Sequence, residues 1–425
     1  MVSILSASKL LSALCMDTAQ RLAVEIERNE PMSTSLEAEK SQQACEILKE
    51  IGVDAWLVWV RETSQMADPV LDIILGADLV WQSALVHTRQ GETMAIIGRL
   101  DAEAIRTKGI FGKVIPYDKD VRAPLLEELD RLDPNQIAID YSTTDVSADG
   151  LSVGMHRILM DYLKDTRFQS RLMSAESLIG KLRGRKTATE LSRIQKAVEI
   201  TEGIFVDIQK QLKAGMTELS IYHRVHQLMS ERGVLDAWNP DHNPAVDAGP
   251  NKEFGHSGPT QNKTKTGHLL HFDFGVRSDG YCSDIQRMYF FGEPADIPQE
   301  ITDAFETARD AIQLASQFIK PGVTGNEVDT VARDHVKERG YEEFKHALGH
   351  QLGRLAHDGG TLLGPCWEKY GTSPRGVVEV GNVFTLELYV TTPSYGQVSL
   401  EEDIVVTQNG CRFLSHPQRD LLCVT

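Results

Sequence analysis

A chain of 425 residues with an apolar share of 41% exceeds what one ordinary core organises, so two domains are expected. A formal net charge of −17 argues against nucleic acid and anionic membrane as partners, since both are bound through clustered Lys and Arg. Six cysteines with no Cys-x-x-Cys pair read as free thiols of a reducing, cytoplasmic setting, and no apolar run approaches the roughly 18 residues that span a bilayer.

In chain order, the opening "MVSILSASKLLSALCMD" is mildly apolar but has no basic residue ahead of its apolar part and no cleavage site. It is not read as a signal peptide, and residues 1–32 are expected to form a loosely attached extension. A first domain is expected over residues 33–178. It opens with a helical pattern from Leu36 to Ile51 and a strand-like "VDAWLVWV". "ALVHTRQGETMAIIG" reads as a hairpin turning at Gln90-Gly91, "NQIAIDYS" as a further strand, and "APLLEELDRL" and "GMHRILMDYLK" as helices. Strands alternating with helices imply an α/β domain, and it holds no cluster of chemically suggestive residues. The basic "KLRGRK" is expected to be a solvated connector, followed by a long amphipathic helix capped by Thr187 or Thr189.

A second domain is expected over residues 179–425. "LKAGMTELSIYHRV" and "IKPGVTGNEVDTVA" share Lys-x-Gly-x-Thr, each after a helix and before another, as two related halves would. Each half adds strands: "HLLHFDFGV" and "YCSDIQRMYFF" in the first, "NVFTLELYV" and "QVSLEEDIVVT" in the second.

Asp273 and Asp284 interrupt these otherwise apolar runs. A hairpin turning at Ser278-Asp279 makes them directly opposite; one turning at Asp279-Gly280 makes them diagonal neighbours. Either register leaves both on one face. Carboxylates so close repel, and one is protonated unless a cation lies between them. Glu387 in mid-strand with Thr385 and Tyr389 on its face, Glu401 at the start of "EEDIVVT", and the histidines of "KHALGHQLGRLAHDGG" offer further donors. Four carboxylates and an imidazole suit Mn²⁺, Co²⁺, Fe²⁺ or Zn²⁺. Two cations about 3.5–4 Å apart, sharing carboxylates and a water, account for all four.

These motifs resemble the metallopeptidases of pita-bread fold: methionine aminopeptidase, Xaa-Pro aminopeptidase, Xaa-Pro dipeptidase (prolidase) and creatinase. The resemblance rests on Asp273, Gly275, Gly280, Tyr281, Ser283, Asp284 and Arg287; on Gly349, His350, Gly353 and His357; on Thr385 and Glu387; on Glu401 through Thr407; and on His256 in "FGHSGP". It covers about residues 181–410, and the first domain resembles, more weakly, that of the prolidase and creatinase branch. It implies an α/β (α+β) architecture: a pita-bread catalytic domain with an internal pseudo-twofold, preceded by a smaller creatinase-type α/β domain. It further implies an exopeptidase that hydrolyses the bond between an N-terminal residue and proline in short peptides, working as a homodimer with two divalent ions, manganese first. Asp284 and Glu401 would bridge the ions, Asp273 would hold one, and His350 and Glu387 the other. Glu387 would take a proton from the attacking water, His256 and His357 would hydrogen-bond the scissile amide and oxyanion, and His346 would line the substrate pocket.

The sequence departs from the pattern at Ser399, where prolidases and Xaa-Pro aminopeptidases carry Arg, and "AHDGG" lacks the usual Val. A small-molecule C–N hydrolase or lyase on the same fold, resembling creatinase, ectoine hydrolase or the sulfoniopropionate lyase, is the alternative within enzymes. A non-catalytic binding protein is a third reading.

Overall fold

The computed structural model describes residues 35–250 and 257–425. The expected extension and His256 lie outside the described residues. The first unit is built on a six-stranded mixed sheet: β1 (Ala55–Val60), β2 (Ser83–Thr88), β3 (Thr93–Gly98), β4 (Lys113–Tyr117), β5 (Ile137–Ile139) and β6 (Leu172–Ser174), in the order β4-β3-β2-β1-β5-β6. Every residue of β1 is buried, as expected of a central strand covered on both faces. One apolar cluster joins the helices Leu36–Ile51 and Arg99–Lys108 to one face through Ile47, Trp56, Val58 and Ile105. Another joins Arg122–Leu132 and Val153–Tyr162 to the opposite face through Leu57, Trp59, Leu125 and Leu159.

The segment between the two sheets is not a solvated connector. Lys181 and Arg183 fall within the helix Glu176–Gly184, and Arg183 and Lys186 are buried against Asp358. Burial alone would raise the Asp358 carboxyl, but the two cations outweigh it and hold the group below its ordinary value. Arg183 also donates to the Pro69 carbonyl of the first unit. Lys40, fully buried in the opening helix, pairs with Glu190 at 2.9 Å. Glu190 closes a capping box with Thr187 at the start of the helix Ala188–Gln209 and also accepts from the Tyr281 hydroxyl. The basic run therefore ties both units together, because its counter-ions lie far off in sequence.

The second unit has a small three-stranded sheet of β7 (Leu235–Asp236), β10 (Val276–Ser278) and β11 (Tyr281–Cys282). Its main sheet has the order β13-β14-β12-β9-β8, formed by Val383–Thr392, Gly396–Val406, Ile285–Phe291, Leu269–Phe274 and Ala245–Ala248 respectively; β15 (Cys411–Phe413) pairs with β14 and β16 (Leu422–Val424) with β12. Two helix pairs cover one face. Ala188–Gln209 and Glu218–Glu231 share a core with Leu270, Phe272, Phe274 and Tyr289. Gln299–Phe318 and Gly325–Glu338 share one with Phe384, Leu386, Leu388 and Leu400. Thr217 and Thr324, the threonines of the repeated Lys-x-Gly-x-Thr, each cap the second helix of their pair. Strand alternation then turns the intervening polar residues to the other face, where the chemistry lies.

Candidate metal centre

The hairpin after β9 turns at Asp279-Gly280, both with positive φ, and pairs Ser278 with Tyr281. This is the second of the two expected registers. Gln286 stands opposite Asp273, leaving Asp284 its diagonal neighbour. Asp284 itself sits in a break between β11 and β12 rather than within a strand. At that break the Ser283 Oγ accepts from the Val276 N–H and meets the Thr201 hydroxyl at 2.8 Å. The Asp284 N–H donates to Asp403 at 3.1 Å. Arg287 points to the far side of β12 and grips Glu402 with both ends of its guanidinium, at 2.9 and 3.1 Å, fastening β12 to β14.

Glu401 is central in an eleven-residue strand, not at its start as the sequence suggested. It faces Glu387 across the β13–β14 ladder and Gln286 across β12–β14. His350 arrives on a loop that lies against β13: its N–H donates to the Thr385 hydroxyl, and its carbonyl accepts from the Thr385 N–H. Gly349 makes that approach possible, since a Cβ there would lie 1.9 Å from the Thr385 carbonyl oxygen.

The structure thus brings Asp273, Asp284, His350, Glu387 and Glu401 into one cavity of about 590 Å³, with His346 and His357 on its wall. Asp284, His350 and Glu401 each offer a ligand atom within 4.8 Å of the other two. His350 Nε2 is 3.8 Å from Asp284 and 3.6 Å from Glu387. His357 stands edge-on to His350, with ring centroids 4.1 Å apart. His346 packs between Phe344 and Tyr389, and its Nδ1 donates to the Ala347 carbonyl.

Electrostatically the cluster is unfavourable without a counter-charge. Burial, then Asp273, Asp403 and Glu387, push Asp284 well above its ordinary value. Burial, then Asp284 and Glu387, do the same to Glu401, and burial pushes Glu387 up to about 7. Burial and the neighbouring His357 push His350 down to about 3, so its ring is neutral. With Nδ1 donating to the Gln351 carbonyl, Nε2 keeps its lone pair for the cavity. Repelling carboxylates and a neutral imidazole, all within ligand distance, fit divalent cations.

Sequence reasoning missed Asp247, His271, Gln286 and Asp403, which surround these five residues. Only Asp403 carried a signal, as part of the Glu-Asp strand. The others read as ordinary polar alternation.

A sheet bearing carboxylates from both halves on one face, with helix pairs behind it, is the pita-bread architecture, and the chain belongs to metallopeptidase family M24, whose signature matches residues 192–408. It is accordingly a metallopeptidase, a hydrolase. Its similarity extends to an Xaa-Pro dipeptidase of Lactobacillus helveticus, 32% identical over 287 residues, spanning 66% of this chain and 73% of that one. A solved dipeptidase of Pyrococcus horikoshii has a TM-score of 0.67 at 25% identity, covering 90% of this chain and 99% of its own. An X-Pro aminopeptidase of Thermotoga maritima shares the fold, with a TM-score of 0.66 at 24% identity over 90% of this chain and 99% of that one.

Proposed function

We propose that the chain is a dinuclear, metal-dependent exopeptidase that hydrolyses the bond between an N-terminal residue and proline, as an Xaa-Pro dipeptidase or aminopeptidase of the cytoplasm. The observation that carries this reading is the convergence of Asp273, Asp284, His350, Glu387 and Glu401 from both halves of the fold on one cavity. The similarity to an Xaa-Pro dipeptidase supplies the substrate class.

On this reading Asp273, Asp284, His350, Glu387 and Glu401 would together hold the two ions. Manganese is the first candidate, with cobalt, zinc or iron as alternatives; such ions polarise the scissile carbonyl and lower the pKa of water. Glu387 accepts the proton of the attacking water and returns it to the leaving nitrogen. His357 donates to the carbonyl oxygen as charge develops there, the role it shares with His256. His346, braced by Tyr389, forms a wall against the proline side of the substrate together with Leu362 and Tyr370. The active form is a homodimer, for which the exposed Trp81 and Leu100 of the first unit offer apolar surface.

The test is a panel of Xaa-Pro dipeptides, Xaa-Pro-Xaa tripeptides, Met-Ala peptides, creatine and ectoine, each with Mn²⁺, with Co²⁺ and with chelator. Hydrolysis restricted to proline peptides and abolished by chelator is expected. Turnover of creatine in chelator would overturn the peptidase reading, and cleavage of Met-Ala peptides alone would overturn the proline assignment.

A further inference from the structure

One buried side chain from each of four strands forms a row that ends on Glu387. Asp247 of β8, His271 of β9, Gln286 of β12 and Ser399 of β14 are all at most 5% exposed. His271 is held at both ring nitrogens: Nδ1 lies 3.0 Å from Asp247 Oδ2, and Nε2 lies 3.0 Å from Gln286 Oε1. The same Oε1 accepts from the Ser399 hydroxyl. Gln286 Nε2 is thereby aimed at Glu387 Oε2, 3.3 Å away, while Oε1 of Glu387 faces His350. The amide orientation follows from its neighbours. Glu387, ionised as a metal ligand, only accepts, so it must meet the amide nitrogen, and the amide oxygen is left for the hydroxyl and the ring.

We propose that Gln286 is a positioning residue for Glu387, and that His271, Asp247 and Ser399 fix Gln286 so that one carboxylate oxygen is turned toward His350. Glu387 has more room to swing than Asp284 or His350: its side chain is 21% exposed, against 8% and 12%. A single hydrogen bond from a clamped amide restricts that swing. Outer groups of this kind are typically worth about 10–100-fold in metal affinity or activity. The proposal rests on the reading of Glu387 as a metal ligand but not on the identity of the substrate.

The test is calorimetric titration of chelator-stripped protein with Mn²⁺, in wild type, Gln286→Ala, Ser399→Ala and Glu387→Gln, with melting curves and steady-state kinetics alongside. The ion-binding step lost in Glu387→Gln should be the one weakened about 10–100-fold in Gln286→Ala, with the other step within about threefold of wild type. Ser399→Ala, which removes one hydroxyl and leaves the amide in place, should weaken the same step less. On the best Xaa-Pro peptide, kcat should fall with KM unchanged. Equal weakening of both steps with a lowered melting temperature would reveal a merely structural role and overturn the proposal, as would unchanged binding in a folded Gln286→Ala. A wild type that binds ions in this pattern yet cleaves no proline peptide would sink the substrate reading and leave the positioning role standing.

Discussion

Glu387→Gln should lower kcat on an Xaa-Pro peptide by about 10²–10⁴-fold, the range spanned by general acid–base groups. The substitution keeps the side chain's size and its place opposite Glu401, so the cavity keeps its shape. On the proposed reading, what it removes is the charge that would help hold an ion with His350 and the site that would receive the proton. The same change should have the opposite effect on the metal-free fold. Burial raises the Glu387 carboxyl from 4.5 to about 7, so folding takes up a proton. That contribution to stability is fully present below about pH 4.5 and is lost as pH rises through about 7. At pH 8 in chelator, Glu387→Gln should therefore melt at a higher temperature than wild type, and with Mn²⁺ present the order should reverse. Comparing melting curves with and without metal at that pH tests both halves; a variant less stable than wild type in chelator would contradict the electrostatic account.

Asp358→Ala should cost about 3–5 kcal/mol, the usual penalty for removing one partner of a buried ion pair. Asp358 is 3% exposed and faces both Arg183 and Lys186, the latter at 3.0 Å. Without it, Lys186 can shed its proton, but the Arg183 guanidinium cannot and remains a buried charge. The loss should reach the site, because Asp358 follows His357 and its N–H donates to the Gln351 carbonyl next to His350. Urea unfolding monitored by Trp fluorescence measures the cost, and Asp358→Asn, which keeps an acceptor for Arg183, should lose less. A midpoint for Asp358→Ala indistinguishable from wild type would mean that the cluster is effectively solvated.

The same residues mark how far the sequence could be read. Of the five positions that share the cavity, the four carboxylates were legible because they interrupt runs otherwise made of Phe, Val, Leu and Tyr, and a fold tolerates that only with compensation; His350 stood out only through its Gly-His-x-x-Gly motif. The helix Leu36–Ile51 was legible from periodicity, and local chemistry narrowed the next long helix's cap to Thr187 or Thr189, of which Thr187 is the cap. The role of "KLRGRK" was hidden because its partner Asp358 lies 172 residues beyond Lys186. Nothing in a charge run says whether such a partner exists. The row from Asp247 to Ser399 was hidden for a related reason: β12 lies beside β14, not β13, so the neighbours of Gln286 depend on a strand order that spacing does not reveal. The break at Ser283 and Asp284 was likewise invisible, since the hydroxyl contact made there is with Thr201 on a separate helix.

Ion content is the most direct measure of the central claim. Protein stripped with chelator, reloaded with Mn²⁺ and freed of excess should carry two ions per chain by mass spectrometric metal analysis, with Glu387→Gln holding fewer and Asp284→Ala, which lacks the ligand proposed to be shared, holding none. A wild-type chain that emerges folded but without bound ion would contradict the account.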